Sequence, residues 1–233
     1  MLRKWAQLPE EMRTEEVKPY YKALCKKQGS IRVKRMLDFL FAVVLLLILS
    51  PVMLVIAFLI KMDSKGPVFF RQERVTQYGR GYRIFKFRTM VDGADKKGPL
   101  VTTEGDSRIT KVGGKLRDLR LDELPQLLNV LAGDMSFVGT RPEVRKYVDC
   151  YTPQMWATLL LPAGITSKTS IAYKDEAEVI REYKTKYPEK PADDIYVAHV
   201  LPEKMKYNLR YLRKFSVFGD LRIMVETVLA VLR

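Results

Sequence analysis

Residues 45–57 read LLLILSPVMLVIA, and no other stretch of the chain restricts its fold as much. Between residues 36 and 60 the only polar side chains are Asp38 and Ser50. That gives about 25 residues, or roughly 37 Å of straight helix against a hydrocarbon core of about 30 Å. Length alone permits a span, but the flanks oppose one. Lys34 and Arg35 stand at one end and Lys61 and Lys65 at the other, so a bias of basic residues toward the cytoplasm pulls both ends to the same side. Pro51 removes a backbone donor and clashes with the Leu47 carbonyl, and the Ser50 hydroxyl is placed to satisfy that carbonyl. The two arms, about 21 Å and 14 Å, are each too short to cross. A helix broken at Ser50 and Pro51 that dips into one leaflet and returns satisfies both flanks. The alternative is an ordinary kinked transmembrane helix, which would put the rest of the chain on the far side.

The formal net charge of +14 calls for an anionic partner: nucleic acid, an anionic membrane surface or a phosphorylated substrate. Residues 1–35 are polar, carry both charges and do not resemble a cleavable signal. Two distant cysteines, Cys25 and Cys150, have no metal-type spacing and imply a reducing compartment. A single histidine, His199, makes zinc chemistry and a Ser-His-Asp triad poor candidates.

The expected organisation is a polar extension over 1–30, a membrane helix over 31–61 and a membrane-apposed catalytic domain over 62–233. SKGPVFFRQERV (64–75) and YRIFKFRTM (82–90) alternate in character around QYGRG, which predicts a β-hairpin with a basic face. Residues 92–111 read as a loop. Leucines 116, 119, 124, 127, 128 and 131 predict helix over 112–134, with Pro125 in a first turn after Asp122 and Glu123. The stretch around Trp156 and the amphipathic C-terminal tail suit either the membrane interface or the core. The fold class is α+β: a helix-rich monotopic membrane protein with a small hairpin.

RLDELPQ (120–126) is where chemistry is expected. Asp122 and Glu123 stand among Lys115, Arg117 and Arg120, and cations keep a carboxylate ionised, able to act as a nucleophile or a metal ligand. Mg²⁺ commonly takes one or two carboxylates together with substrate phosphates. Capping and surface pairing at helix starts yield similar clusters. In GTRPE (139–143), Arg141 lies in a proline-containing loop where its fork can hold phosphate. Neither a P-loop, nor a dinucleotide fingerprint, nor a D-x-D metal motif occurs.

The order KRMLDF, the proline-broken apolar segment, SKGPVFFRQERV, FKFRTM, DSRITKVGGKLRDLRLDELPQLLNVLAGDMSFVGTRPE and PAGIT resembles the bacterial sugar transferases, the monotopic phosphoglycosyl transferases, from about residue 31 onward. The resemblance implies transfer of a sugar 1-phosphate from a UDP-sugar to undecaprenyl phosphate on the cytoplasmic face of the inner membrane. UMP is released, and assembly of capsule, exopolysaccharide, O-antigen or glycoprotein glycan begins. It implies Asp122 as the nucleophile forming an aspartyl-phosphosugar and ligating Mg²⁺, Glu123 as its helper, and Arg117 and Arg141 as phosphate binders. Anionic lipids are implied partners, and a homodimer is compatible. The chain departs from the family pattern at Thr140, where GPRP is usual, and at Pro162-Ala163-Gly164-Ile165-Thr166-Ser167, where PGITG is usual. No donor identity is carried over. The competing expectations are a membrane-tethered basic nucleic-acid-binding or scaffold protein, and an inactive docking homologue.

Overall fold

The computed structural model describes residues 2–94, 106–173 and 176–232. It is helix-rich, with one long apolar helix near the N-terminus and a small antiparallel two-stranded sheet. Helix α1 (Lys18–Cys25) leads into α2 (Gln28–Asp63), followed by strands β1 (Phe69–Val75) and β2 (Gly81–Phe87). Next come α3 (Lys111–Asp118), α4 (Gln126–Ala132), β3 (Met135–Val138), α5 (Arg145–Val148) and β4 (Ala163–Thr166). The chain ends with α6 (Lys168–Ala172), α7 (Glu176–Lys186), α8 (Ala192–Ile195), α9 (Leu201–Lys214) and α10 (Val217–Leu232). Most of the expected 92–111 loop, residues 95–105, lies outside the described residues.

Helix α2 is apolar almost all round, yet only one stripe of it meets protein. Ile31, Lys34, Asp38, Ala42, Ile56 and Ile60 are buried, at the three- and four-residue steps that put side chains on one helix face. Phe39, Leu40, Leu47, Ile48, Leu54 and Phe58 are exposed on the remaining surface. Pro51 lies inside the helix, and the Ser50 hydroxyl donates to Leu47 O at 3.0 Å.

Both ends of α2 are tied to the same globular body. Near the N-terminal end Lys34 Nζ lies 2.6 Å from Asp220 Oδ2 of α10, Asp38 Oδ1 accepts the Phe137 N–H at 3.2 Å, and Arg35 donates to Val130 O at 2.8 Å. At the C-terminal end Asp63 Oδ2 accepts the Val112 N–H at 2.9 Å, and Arg88 donates to Ser64 O at 2.7 Å. Ile56 and Ile60 complete that end by packing with Phe87 and Leu116.

The hairpin forms over a shorter range than its sequence pattern covers, pairing Phe69 with Phe87 and Val75 with Gly81. Tyr78 (φ 60°) and Gly79 (φ 73°) turn the chain between the strands. The outer edge of β2 is closed by a side chain. Asn129, buried on α4, accepts the Phe85 N–H at 2.8 Å through Oδ1 and donates to Arg83 O at 3.0 Å through Nδ2, much as a neighbouring strand would. Strands β3 and β4 pair in parallel, and a Cβ on Gly164 would collide with the Gly139 backbone, so both glycines are needed for the chains to approach.

Leu2, Leu8, Met12, Val17, Tyr20 and Leu24 are buried in the largest core cluster, with Leu160, Leu212 and Phe215. The stretch around Trp156 folds as short 3₁₀ turns over Pro153–Leu160 and packs into the same cluster. In α10, Ile223 is buried, whereas Phe218, Val225, Val228 and Leu229 are exposed.

Asn129→Ala should lower stability by about 2–4 kcal/mol, because the half-buried bonds to the Phe85 N–H and the Arg83 carbonyl are lost together and the buried Asn129 side chain leaves a void. Thermal unfolding in detergent should show a fall of roughly 5–15 °C for a chain of this size.

Candidate active site

The leucine periodicity over 112–134 suggests one helix, but the chain makes two with a turn between them. Thr110 caps the start of α3, its side chain accepting the Gly113 N–H. The helix stops where Arg120 takes a left-handed conformation (φ 55°, ψ 19°). A single 3₁₀ turn, Leu121–Glu123, follows, and Pro125 stands at the cap of α4, where its missing N–H costs nothing. Adjacent residues in such a turn diverge by about 120°. Asp122 and Glu123 therefore face different spaces.

Asp122 is buried and lines a cavity of about 480 Å³. Arg71, Arg74, Lys86, Arg88, Arg108 and Arg117 contribute to the same lining. Such a volume lies within the usual range for small-molecule sites. Glu123 lines a second cavity of about 230 Å³, together with Arg120 and Arg141 and with Leu45 and Leu49 of α2. The structure thus brings Asp122 and Arg117 to one cavity and Glu123 and Arg141 to the other. Ser50 and Pro51 line neither cavity, but they follow Leu49 directly.

Lys86, on β2, joins the two carboxylates. Its Nζ is 2.7 Å from Glu123 Oε1 and 3.7 Å from Asp122 Oδ2. The sequence places Lys86 on the basic face of the hairpin and gives no hint of this role, since it lies 37 positions from its partner. The only local signal is the alternation Phe85-Lys86-Phe87-Arg88, which sets two cations on one side of a strand.

Two neighbouring carboxyls respond oppositely to this environment. Burial pushes Asp122 above its ordinary 3.8 and the Glu123 charge adds to the rise, while Lys86 and Arg117 oppose it. Burial would raise Glu123 as well, but Lys86, Arg141 and the Lys86 hydrogen bond prevail and hold it down to about 2. Desolvation lowers Arg117, offset by Asp122 and Asp106. Arg141 donates to Ser170 Oγ at 3.4 Å, and Asp106 is clamped by Arg108 at 2.6 Å.

The profile of the family described as bacterial sugar transferase matches residues 29–233. The chain belongs to this family. Among curated relatives of this bacterial sugar transferase is the Aeromonas hydrophila UDP-N-acetylgalactosamine-undecaprenyl-phosphate N-acetylgalactosaminephosphotransferase, 37% identical over 204 residues, which are 86% of this chain and 44% of the relative. Another is the UDP-glucose:undecaprenyl-phosphate glucose-1-phosphate transferase of Escherichia coli (strain K12), 33% identical over 223 residues, 94% of this chain and 44% of the relative. The uncharacterized sugar transferase EpsL of Bacillus subtilis (strain 168) is 34% identical over 200 residues, 86% of this chain and 87% of the relative. This bacterial sugar transferase therefore spans a little under half the length of the first two relatives and nearly all of the third.

Glu123 titrates below its ordinary 4.5, so its pairing stabilises the fold above that pH and the contribution is lost as pH falls toward 2. Lys86→Met should move the Glu123 titration upward by about 1 to 3 pH units. Carboxyl ¹³C NMR of the protein in micelles would read the change directly.

Proposed function

We propose that this protein transfers a sugar 1-phosphate from a UDP-sugar to undecaprenyl phosphate, releasing UMP, as an early membrane step in bacterial glycoconjugate assembly. One observation carries the reading: a buried carboxylate, Asp122, stands in the wall of a cation-lined cavity large enough for a nucleotide sugar. The printed names of the relatives supply the same donor and acceptor classes. A groove for a nucleic-acid backbone gains nothing from an acid among its cations, so the basic charge is better explained by a diphosphate donor and an anionic membrane.

In the first step an oxygen of Asp122 attacks the sugar-bearing phosphorus of the donor. A P–O bond to that oxygen forms, the bond to the bridging oxygen breaks, and UMP leaves with the electron pair. In the second step an oxygen of the lipid phosphate attacks the same phosphorus, and the Asp122 carboxylate departs to leave the lipid diphosphosugar. Each step passes through phosphorus with charge spread over its oxygens, which fixed cations stabilise most strongly in a water-poor site. Arg117, in the lining of the same cavity, acts on the donor phosphates in this reading. Lys86 keeps Glu123 ionised beside the nucleophile, and a carboxyl held near 2 is a weak base, so Glu123 serves through its charge.

Two adjacent carboxylates suit a hard cation that takes most of its remaining ligands from water and phosphate. Among the described residues no larger cluster of metal-ligating side chains occurs. Asp122, assisted by Glu123, would hold Mg²⁺, whose bound charge offsets that of the donor phosphates. Lys86 balances the dyad from the protein side.

The same reading makes the protein monotopic, with α2 re-entrant in the cytoplasmic leaflet. What supports this is the anchoring of both α2 ends to one body, through Lys34 and Asp38 at one end and Asp63 at the other. A helix crossing the bilayer would carry those ends to opposite faces. Nearby Lys and Arg would add about 1 kcal/mol each on an anionic surface.

Asp122→Asn should cut UMP release at least about 10³-fold with the fold retained, on the scale of losing a covalent nucleophile. Mass spectrometry of the wild-type protein quenched with UDP-sugar should find a phosphosugar on Asp122, and the asparagine variant should lack it. Because burial raises the Asp122 pKa and only its ionised form attacks, the rate should fall on the acid side at a pH above that of an exposed aspartate. Cysteines introduced at the exposed positions 32 and 65 should both be labelled from the cytoplasm, and periplasmic labelling of either would contradict the re-entrant reading.

A further inference from the structure

Helix α9 buries Leu201, Met205, Tyr211 and Leu212, as an amphipathic helix does, but it also buries Lys204 and Asn208. These two stand four residues apart and so lie one above the other on the same face. Lys204 is only 2% exposed, and a lysine at that depth needs a partner. Its Nζ donates to Tyr196 OH at 2.6 Å and lies 3.2 Å from Glu143 Oε1. Tyr196 OH in turn donates to the same carboxylate oxygen at 2.7 Å, and both Glu143 and Tyr196 are buried.

Glu143 closes the GTRPE loop, two residues after Arg141. Asn208 reaches the other side of that arginine. Thr169 Oγ1 donates to Asn208 Oδ1 at 2.6 Å, and Thr169 directly precedes Ser170, whose hydroxyl accepts Arg141 at 3.4 Å. One face of α9 thus grips both the loop that carries Arg141 and the helix, α6, that carries its acceptor.

We propose that Glu143, Tyr196 and Lys204, with Asn208 and Thr169, form a buried clamp that positions Arg141 for phosphate. None of the five lines either cavity, so they act through the arginine and are positioning residues. This rests on the transferase reading for what Arg141 holds, and adds the groups that aim it.

The loop does not need an ion pair in order to close. Gly164 N–H bonds to Thr140 O and Val75 N–H to Glu143 O, both at 2.9 Å, and Arg74 donates to Pro142 O at 3.2 Å. Those bonds fix the backbone on either side of Arg141. For stability alone, apolar groups of similar shape serve an interior as well as a buried charge pair, or better. What the trio supplies is direction, because a carboxylate oxygen that accepts from both a phenol and an ammonium is confined to one place. The bond from Arg141 to Ser170 shows why direction matters here. At 3.4 Å it is at the limit of a hydrogen bond, and a separation of α6 from the loop by a few tenths of an ångström removes it.

Replacing the trio together, Glu143→Leu with Tyr196→Phe and Lys204→Met, removes the charges and the hydroxyl in one step. The full chain should stay folded, with a melting temperature within about 5 °C of the wild type. In ¹⁵N-arginine-labelled protein in micelles the Arg141 guanidinium signal, identified by its absence from Arg141→Met, should shift or broaden. That of Arg88, held by the Ser64 and Lys65 carbonyls, should stay in place. UMP release should fall at least about tenfold, yet in the Arg141→Met background the same replacement should change the rate by less than about threefold. Should the triple variant not fold, Thr169→Val with Asn208→Leu cuts the other arm and provides the same measurements. An Arg141 signal that stays in place, an undiminished rate, Arg88 and Arg141 signals that move together, or losses that multiply would each overturn the clamp. If the wild type released no UMP but the Arg141 signal still moved alone, the transferase reading would fail and the clamp would stand.

Discussion

An apolar helix that buries one stripe and leaves the rest bare dictates how everything else is arranged. Helix α2 holds the body along its length: an ion pair to α10 and a carboxylate to β3 near one end, a carboxylate to the start of α3 at the other. The Lys34–Asp220 pair is buried, where separating the charges costs several kcal/mol, so it acts as a fixed joint. Burial raises the Asp220 pKa and Lys34 opposes the rise, which keeps the joint in one charge state only while its lysine is present. Along the middle of α2, Leu45 and Leu49 form part of a cavity wall that also contains Glu123. The candidate site is thus built on the stripe of α2 that faces the body, opposite its bare apolar surface.

The dyad depends on a second constraint, the interruption between α3 and α4. Had the leucine-patterned segment continued as one helix, residues 122 and 123 would stand on a regular surface about 100° apart, without a wall of their own. The left-handed Arg120 and the short turn after it lift both carboxyls toward β2, where Lys86 reaches them. Asn129 then fixes β2 against α4 by bonding to the residues just before Lys86. Placement of the lysine relative to the carboxyls is therefore set by backbone hydrogen bonds and does not rely on the flexible side chain alone.

What could be read from the sequence follows the range of the interactions involved. The hairpin was legible because alternation is local and the turn carries its own residues, Tyr78 and Gly79. The long apolar helix was legible from composition. The split of 112–134 was hidden, because the leucines of α3 and α4 keep a helical phase across the gap and a left-handed arginine has no sequence signature. Lys86 was hidden for another reason: its partners lie far along the chain, and its neighbours explain it equally well as a surface cation. Over residues 1–30, Leu8, Met12, Val17 and Leu24 enter the core from irregular turns at uneven spacing, so no period marks them.

Opposite displacement of two adjacent carboxyls is the electrostatic result of this architecture. Asp122 loses most of its water, and Lys86, Arg117 and Arg120 do not fully compensate, so its charged form is destabilised. Glu123 loses water too, but a lysine in contact and a nearby arginine more than compensate, and its charge is locked. The fixed negative charge of Glu123 raises the Asp122 pKa further and is itself favoured by the guanidinium of Arg141. Two carboxylates one position apart thus differ in environment because the 3₁₀ turn points one into a cationic chamber and the other toward the cavity beside the apolar helix.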